Sequence, residues 1–177
     1  MKNLKNITVG ALFSALICIG AFIKIPLPQL PITMQMFFVL LAGLILTPNT
    51  ALLAVGGYVL LGLAGLPVFS SGGGISYVLM PSFGYIIGFF AAAPLMAVIC
   101  RRQKGFIRMI FASLAGIAVI YIVGISYFCL ITYFILHADI SAEYIIKLCI
   151  LAMLPGDLIS SALAILSAAK LRKTNIM

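Results

Sequence analysis

The chain has 177 residues, of which 64% are hydrophobic and only 8% are charged, against about 45–50% and about 25% in ordinary soluble domains. So little polarity cannot cover a water-exposed surface, so the composition excludes a soluble protein and predicts one integral membrane domain over residues 1–177. Eleven basic residues, three acidic residues and one histidine leave few groups for acid–base or metal chemistry. We therefore expect no enzyme, no metal site and no cofactor.

Apolar segments, taken in chain order, predict an all-α fold with six membrane-spanning helices. A helix needs about 20 apolar residues to cross the hydrocarbon core, and fewer where it is packed inside a bundle. The apolar runs end where charged residues, prolines or glycines interrupt them. The predicted spans cover residues 7–23, 34–46, 51–66, 81–100, 108–136 and 155–171.

The connections between these spans predict two ordered loops and one short helix. Proline at near-alternating positions from Pro26 to Pro31 cannot hold a helix, so this segment should be an extended loop. A glycine-rich loop, residues 67–76, follows the third span. Residues 142–154 should form a short helix against the outer edge of the bundle, because Pro155 is well placed at the first position of the last span.

Basic residues form three clusters that contain nine of the eleven. Four predicted spans separate the first cluster from the second, and two separate the second from the third, so all three can lie on one side of the membrane. The positive-inside rule then places both termini in the cytoplasm, and the proline-rich and glycine-rich loops outside. Such clusters are typical of topology signals rather than of a phosphate-binding stripe, so we expect no nucleic acid partner. The clusters are Lys2 and Lys5; Arg101, Arg102, Lys104 and Arg108; and Lys170, Arg172 and Lys173.

Asp157 is the clearest candidate for a functional residue within the membrane. Intramembrane ionisable residues are costly, so each is a functional hypothesis. At the third position of its predicted helix, the Asp157 carboxylate could meet free main-chain N–H groups as a structural cap, or it could contact a ligand. A carboxylate in a dry cavity can accept two N–H bonds side by side, which suits a cyclic urea or an amide. Ser160 lies one turn further along the same face.

Two further segments are candidates for ligand contact. Three consecutive glycines, ending in Gly73 and Gly74, let the backbone approach a ligand closely and could cradle an anion, or they form a merely flexible loop. Thr33 and Gln35 are polar where the second span should enter lipid. They either face a cavity or form hydrogen bonds to the backbone within the bundle.

Aromatic and small residues leave similar alternatives open. Tyr58, Tyr77 and Tyr85 stack on a ligand ring or belong to an aromatic belt at the membrane interface, and the belt is favoured for any one of them. Ala11 and Ala15 share one face of the first span. This face either packs within the bundle or forms a docking surface for another membrane subunit.

Five short motifs lie within the spans or at their ends: Pro31-Ile-Thr33-Met-Gln35, Leu41-Ala42-Gly43, Gly65-Leu66-Pro67-Val68-Phe69, Pro81-Ser82-x-Gly84-Tyr85 and Pro155-Gly156-Asp157-Leu158-Ile159. In this order and spacing, they resemble the biotin-specific S components of energy-coupling factor (ECF) transporters, the BioY family. The resemblance covers essentially the whole chain, from the first span to the last.

This resemblance implies a six-helix substrate-binding subunit with a vitamin pocket near its outer face, in the cytoplasmic membrane of a prokaryote. It also implies a transmembrane coupling subunit and two ATPase subunits as partners, and this chain has no nucleotide-binding motif of its own. By position, Asp157 matches the family's ligand-binding aspartate, and Ala11 and Ala15 match its docking face. The chain departs from the family pattern at Ser160, where a lysine is usual, and at residues 70–74, which often read Gly-Gly-x-Gly-Gly.

The leading hypothesis is a membrane subunit that captures biotin from outside. The alternatives are an S component for a different vitamin-like solute and a structural membrane subunit without a transport role. An integral-membrane enzyme is the least favoured, because neither an acid–base pair nor a metal cluster is visible in the sequence. A binding subunit should be stabilised by its ligand, whereas a structural subunit should not respond to any small molecule.

Overall fold

A computed structural model of the chain describes residues 2–25, 31–101, 105–136 and 141–173. The described part is a helical bundle with one pair of two-residue strands. Its helices are α1 (Lys2–Phe22), α2 (Gln35–Ile45), α3 (Pro48–Leu63), α4 (Phe83–Arg101), α5 (Phe106–Phe134), α6 (Ala142–Ile145) and α7 (Leu154–Lys173). A 3₁₀ helix covers Ile75–Leu79, a π-helical segment covers Ile146–Ala152, and strands β1 and β2 cover Lys24–Ile25 and Ile32–Thr33.

The predicted six-helix architecture is confirmed, because α1 to α5 and α7 correspond in order to the six predicted spans. Among the described residues, four helical segments are long and apolar enough to cross a membrane. They are Leu4–Phe22, Phe83–Arg101, Phe106–Phe134 and Lys147–Lys173.

The α2 and α3 helices are shorter than a full membrane crossing. With 11 and 16 residues, they extend about 16 and about 24 Å, against a hydrocarbon core of about 30 Å. α2 need not match the lipid thickness, because eight of its eleven residues are buried and it contacts α1, α4, α5 and α7. A tight turn joins the two helices: the Thr47 side chain accepts a hydrogen bond from the Thr50 N–H, and Pro48 occupies the first turn of α3.

The approach to α7 differs from the predicted separate helix over residues 142–154. Only α6 is regular there, and the π-helical segment then leads to α7 with one residue, Met153, between them. The physical reason lies in Pro155, which has no N–H to donate one turn back, so the regular helical ladder is interrupted just before it. The segment also packs into the bundle rather than against its edge, since Cys149 is fully buried and Met153 is nearly so.

Small residues allow the helices to approach one another closely. Ser14 of α1 donates a hydrogen bond to the Ala54 carbonyl of α3 at 2.6 Å, and a Cβ atom at Gly57 would lie 2.6 Å from the Ser14 hydroxyl. Between α4 and α5, a Cβ at Gly88 would lie 2.8 Å from the Ile120 Cα. Backbone approach of this kind is how helices associate without a hydrophobic driving force between them.

The proline-rich connection is closed at its base by a short hairpin. β1 and β2 pair antiparallel, with Lys24 opposite Thr33 and Ile25 opposite Ile32. Residues 26–30 of the predicted extended loop lie outside the described residues. The hairpin holds Thr33 and the start of α2 over the end of α1, where the Met34 N–H donates to the Ile23 carbonyl at 3.0 Å.

Described members of the three basic clusters meet at one end of the bundle. Lys5 of α1, Arg101 of α4 and Arg172 of α7 line the same cavity. Arg102 and Lys104 of the predicted second cluster lie outside the described residues. The hairpin and the starts of α2, α4 and α7 lie at the opposite end, because the basic end holds the C-terminal ends of these helices.

Candidate ligand-binding site

A small cavity with a mixed polar and apolar lining lies at the end of the bundle opposite Lys5, Arg101 and Arg172. Its volume is about 40 Å³. Its polar lining residues come from the hairpin, α2, the glycine-rich region, α4 and α7; they are Thr33, Gln35, Ser70, Tyr77, Ser82, Tyr85 and Asp157. The apolar walls are formed by Pro31, Ile32, Met36, Ile86, Phe89, Ile120 and Met153.

Asp157 lies at the α7 side of this cavity and is only 5% exposed. Its Oδ2 atom accepts a hydrogen bond from the Tyr121 hydroxyl of α5 at 2.6 Å. Its own N–H donates to the Met153 carbonyl at 3.1 Å, so the residue lies within a helical ladder that begins before it. The carboxylate therefore has a tertiary partner and remaining acceptor capacity toward the cavity, since an ionised carboxylate has about four acceptor sites.

Tyr85 brings a buried, unsatisfied hydroxyl to the same cavity. The side chain is 6% exposed, and among the described residues its hydroxyl has no oxygen or nitrogen partner; the Cys149 thiol beside it is a weak acceptor. Its ring packs edge-on against Tyr121, with centroids 6.2 Å apart, so it stands beside the Tyr121–Asp157 pair. Leaving a buried polar group unpaired costs about 1–3 kcal/mol, which native proteins retain mainly where a ligand or water uses the group.

Thr33 and Gln35 belong to a side-chain network rather than bonding to the backbone. The Thr33 hydroxyl donates to Gln35 Oε1 at 3.2 Å, and the Gln35 amide donates to the Tyr58 hydroxyl at 2.6 Å. Gln35 and Tyr58 are both buried. The network fixes the orientation of the Gln35 amide at the cavity wall.

The glycine-rich region is tied down, which differs from the flexible loop considered above. The Tyr77 hydroxyl shares hydrogen bonds with Ser70 at 3.0 Å and with Ser82 at 3.1 Å. The Phe69 ring packs against Tyr58 and Tyr77, with centroids 5.4 and 4.6 Å away. Lys24 also donates from Nζ to the Ser70 carbonyl. These contacts place three hydroxyl groups in fixed positions around the cavity.

An aromatic belt is the wrong interpretation for the three tyrosines singled out in the sequence. Tyr58, Tyr77 and Tyr85 are 0%, 3% and 6% exposed, so none faces the lipid interface. Tyr77 and Tyr85 line the cavity, and Tyr58 supports it through Gln35.

The BioY family model matches residues 1–176 of the chain. The chain belongs to the BioY family. This confirms the resemblance drawn from the five sequence motifs.

Individual relatives support the same assignment. The chain is 44% identical over 124 residues to the probable biotin transporter BioY of Lysinibacillus sphaericus, which spans 69% of this chain and 63% of that relative. It is 37% identical over 123 residues to the biotin transporter BioY of Thermotoga maritima, covering 69% and 73% of the two chains.

A solved structure shows that the likeness extends to the fold. The crystal structure of the S-component for biotin from an ECF-type ABC transporter superposes with a TM-score of 0.84 at 26% identity, covering 97% of this chain and 93% of that one. Together with the four helical segments that are long and apolar enough to cross a membrane, this makes the chain a multi-pass integral membrane protein with the S-component fold.

The BioY fold brings together four of the residues predicted for the site. Thr33, Gln35, Tyr85 and Asp157 all line the cavity. Ser160 does not line it and is half-buried, whereas its neighbour Ser161 is buried and shares a 2.8 Å hydrogen bond with Ser113.

Gly73 and Gly74 also lie away from the cavity lining. The Gly74 N–H donates to the Gly62 carbonyl at 2.7 Å, so it is used within the protein rather than presented to an anion. A Cβ atom at Gly73 would lie 2.0 Å from the Leu66 carbonyl oxygen. These glycines allow the loop to pack against the end of α3, and thereby carry Ser70 and Tyr77 to the site.

We predict that Gly73→Ala destabilises the protein by about 1–3 kcal/mol, because the added methyl group meets backbone that cannot turn aside. Thermal unfolding in detergent measures this. Gly105→Ala is the matched control, since a Cβ there has no heavy atom within 4 Å. Equal melting temperatures for the two variants would contradict the tight packing of the loop.

Tyr121, the hydrogen-bond partner of Asp157, is a residue of the candidate site that the sequence interpretation missed. It lies 36 residues from Asp157 and no local pattern joins the two. The available signal was weak: a tyrosine in the interior of a long apolar span, where its hydroxyl must find a partner. Ser70 and Ser82 were missed for the same reason, because small hydroxyl residues are common in loops of every kind.

Ala11 and Ala15 lie on a face of α1 that is exposed in the isolated chain. Gly10 and Ser14, one position earlier in each case, are buried and face α3. The small residues of α1 that pack within the bundle are therefore Gly10 and Ser14, and not the two alanines. The alanine face remains available to another helix.

Proposed function

We propose that this chain is the substrate-binding S component of a vitamin uptake transporter in the cytoplasmic membrane of a prokaryote, and that its ligand is biotin. The observation that carries the proposal is the cavity shared by a buried carboxylate, Asp157, and a buried hydroxyl, Tyr85, for which the described residues offer no oxygen or nitrogen partner. The names of the BioY relatives support the choice of biotin. These relatives are transporters rather than enzymes.

The chemistry of the cavity suits a cyclic urea. The ureido ring of biotin has two N–H donors and one carbonyl acceptor. The Asp157 carboxylate is an acceptor for the N–H groups, and the Tyr85 hydroxyl is a donor for the carbonyl. Apolar walls such as Ile86, Phe89 and Ile120 suit the sulfur-containing ring and the aliphatic chain.

The carboxylate at the other end of biotin requires a cationic or donor-rich partner. Lys24 lies at the base of the hairpin and donates a hydrogen bond to the backbone carbonyl of Ser70. Ser70 lines the cavity. We place the ligand's aliphatic chain along this side, with its carboxylate toward Lys24.

Ligand binding requires the cavity to widen. Its volume of about 40 Å³ is far below the range of about 300–1,000 Å³ found for pockets that enclose vitamin-sized ligands. The hairpin and the glycine-rich region both line it, and the Lys24–Ser70 hydrogen bond joins them. Separation of these two elements gives biotin a route to Asp157.

Import needs partners that hydrolyse ATP. We assign the coupling role to a transmembrane subunit that contacts the exposed face of α1 containing Ala11 and Ala15, and ATP hydrolysis to two ATPase subunits. The crystal structure with the same fold is an S-component of an ECF-type ABC transporter, which supports this assembly.

The small molecule that copurifies with the protein tests the proposal. Mass spectrometry of the denatured, purified protein should detect biotin, and biotin should raise the melting temperature of protein freed of ligand. A different vitamin in its place would overturn biotin as the ligand but keep the transporter class. If no small molecule copurifies and biotin leaves the melting temperature unchanged, the proposal fails.

The arrangement of charge predicts that both termini lie in the cytoplasm. In a variant without its four native cysteines, a thiol placed at Ser71 should react with a membrane-impermeant reagent in sealed cells, whereas one placed at Gly105 should react only after lysis. Both positions are exposed. Labelling of Gly105→Cys in sealed cells would reverse the orientation.

A further inference from the structure

A second cavity, which we call the basic cavity, lies at the end of the bundle opposite the proposed biotin site. Its volume is about 410 Å³. Lys5 from α1, Arg101 from α4 and Arg172 from α7 all line it, together with the turn between α2 and α3. Three cations from three separate helices therefore converge on one space.

The described residues provide no carboxylate to balance these cations. The whole chain has three acidic residues. Asp157 is bonded to Tyr121 at the other end of the bundle, and Glu143 is paired with Lys147 at 2.6 Å. Asp139 lies outside the described residues. Because converging like charges repel one another, the basic cavity favours an anion that the described residues do not supply.

Arg172 shows where that anion would bind. One guanidinium nitrogen, Nη2, donates to the Leu44 carbonyl at the end of α2. The other, Nη1, is buried and has no oxygen or nitrogen partner among the described residues, although the guanidinium lies within reach of the Cys100 sulfur. The only sulfur in the lining, from Cys100, is a weak acceptor. A guanidinium group with Nη2 held in place and Nη1 free of a strong acceptor is well suited to donate a hydrogen bond to a phosphate oxygen.

A neighbouring groove extends the site toward the lipid. This groove has a volume of about 690 Å³ and shares Arg172 with the basic cavity. Its walls include the apolar side chains Phe106, Met109 and Leu166, together with Lys170 and Lys173. A soluble anion would use the charges and leave the apolar wall uncovered, whereas a phospholipid would use both.

We propose that the basic cavity binds the phosphate headgroup of an anionic phospholipid, with its acyl chains along the groove between α5 and α7. Basic pockets between membrane helices are suited to such headgroups. The proposal does not depend on biotin being the ligand of the other cavity. In this proposal, the bound lipid neutralises the positive charges of Lys5, Arg101 and Arg172, which converge where α1, α4 and α7 meet.

Titration of detergent-purified protein with short-chain phosphatidylglycerol tests this, with native mass spectrometry to count bound lipid. Phosphatidylcholine and sodium phosphate provide the comparison arms. We expect one phosphatidylglycerol molecule to bind tightly to each chain. Its apparent Kd should rise about fivefold in Lys5→Gln or in Arg101→Gln, and about 25-fold in the variant that carries both substitutions. Lys147→Gln is the matched control, because it removes the same charge from an exposed site bearing the Glu143 pair, and it should leave the Kd unchanged.

Several outcomes would overturn the proposal. Phosphatidylcholine binding as tightly as phosphatidylglycerol would remove the role of charge, and sodium phosphate displacing the lipid at equal concentration would identify the site as one for a free anion. Equal affinities in the double variant and Lys147→Gln would place the lipid elsewhere. If the double variant does not fold, the single variant Lys5→Gln decides, since Lys5 is exposed in the first turns of α1. If Lys5→Gln weakens assembly with the coupling subunit but not lipid binding, the cavity takes an acidic side chain of that partner instead.

Discussion

Asp157→Asn should weaken biotin binding by at least about tenfold, because the amide replaces one carboxylate acceptor with a donor and leaves a ligand N–H unpaired in a buried site. The asparagine carbonyl can still accept the hydrogen bond that Tyr121 makes to Asp157. The melting temperature without ligand should therefore change little. Biotin titration and thermal unfolding on the same detergent sample measure both quantities.

Glu143→Gln is the matched control, because it neutralises an acidic residue that is exposed and away from the cavity. It should leave the biotin affinity unchanged. Tyr121→Phe adds a second test: if Tyr121 acts by holding Asp157, the double variant should bind biotin no more weakly than Asp157→Asn alone. An unchanged affinity in Asp157→Asn, together with a lowered melting temperature, would make Asp157 a structural residue and remove it from the site.

Ala11→Trp and Ala15→Trp should each abolish most of the assembly with the coupling subunit, because a bulky ring prevents the close helix approach that small residues permit. We expect the amount of coupling subunit that copurifies to fall by about tenfold or more in the double variant. Biotin binding and the melting temperature of the isolated chain should be retained, since both alanines are exposed there.

Ala91→Trp provides the matched control for this experiment, as it introduces the same ring at an exposed alanine of α4. It should leave assembly intact. Loss of biotin binding in Ala11→Trp would instead show that this face packs within the bundle. Equal loss of assembly in Ala91→Trp would mean that any bulky group on the lipid-exposed surface is harmful, and the docking face would not be specific.

Asp157 could be predicted from the sequence because the cost of burying a charge is large and needs no knowledge of the fold. Its partner could not. Tyr121 is one of seven tyrosines, and only the packing of α5 against α7 places its hydroxyl 2.6 Å from the carboxylate. Long-range pairs of this kind depend on helix rotation and depth, which the composition of an apolar span does not determine.

The glycine-rich loop shows a different limit of sequence interpretation. Three glycines in a row indicate unusual backbone geometry, and Gly72 and Gly74 do have positive φ values of 128° and 99°. The sequence does not show what the N–H groups bind or what the missing side chains leave room for. In the fold, Gly73 packs against the Leu66 carbonyl, and the residues on either side of the glycines, Ser70 and Tyr77, reach the cavity.

The order of charges along the chain predicted a shared side of the membrane for the basic clusters, but not a shared cavity. Counting spans between the basic clusters placed them on one side, and Lys5, Arg101 and Arg172 do line one cavity. That they converge, rather than spread around the rim of the bundle, follows from the packing of α2 against α1, α4 and α7. The short length of α2 could not be predicted from the sequence either, because a buried helix need not match the membrane thickness.

Equilibrium dialysis of the ligand-free, detergent-purified chain against radiolabelled biotin is the most direct test of the central claim, that a single buried site at Asp157 and Tyr85 binds this vitamin. Saturable binding of one biotin per chain, displaced by unlabelled biotin and strongly weakened in Asp157→Asn, is the result that we predict. Binding that is absent, that does not saturate, or that is identical in the wild-type chain and Asp157→Asn would contradict it.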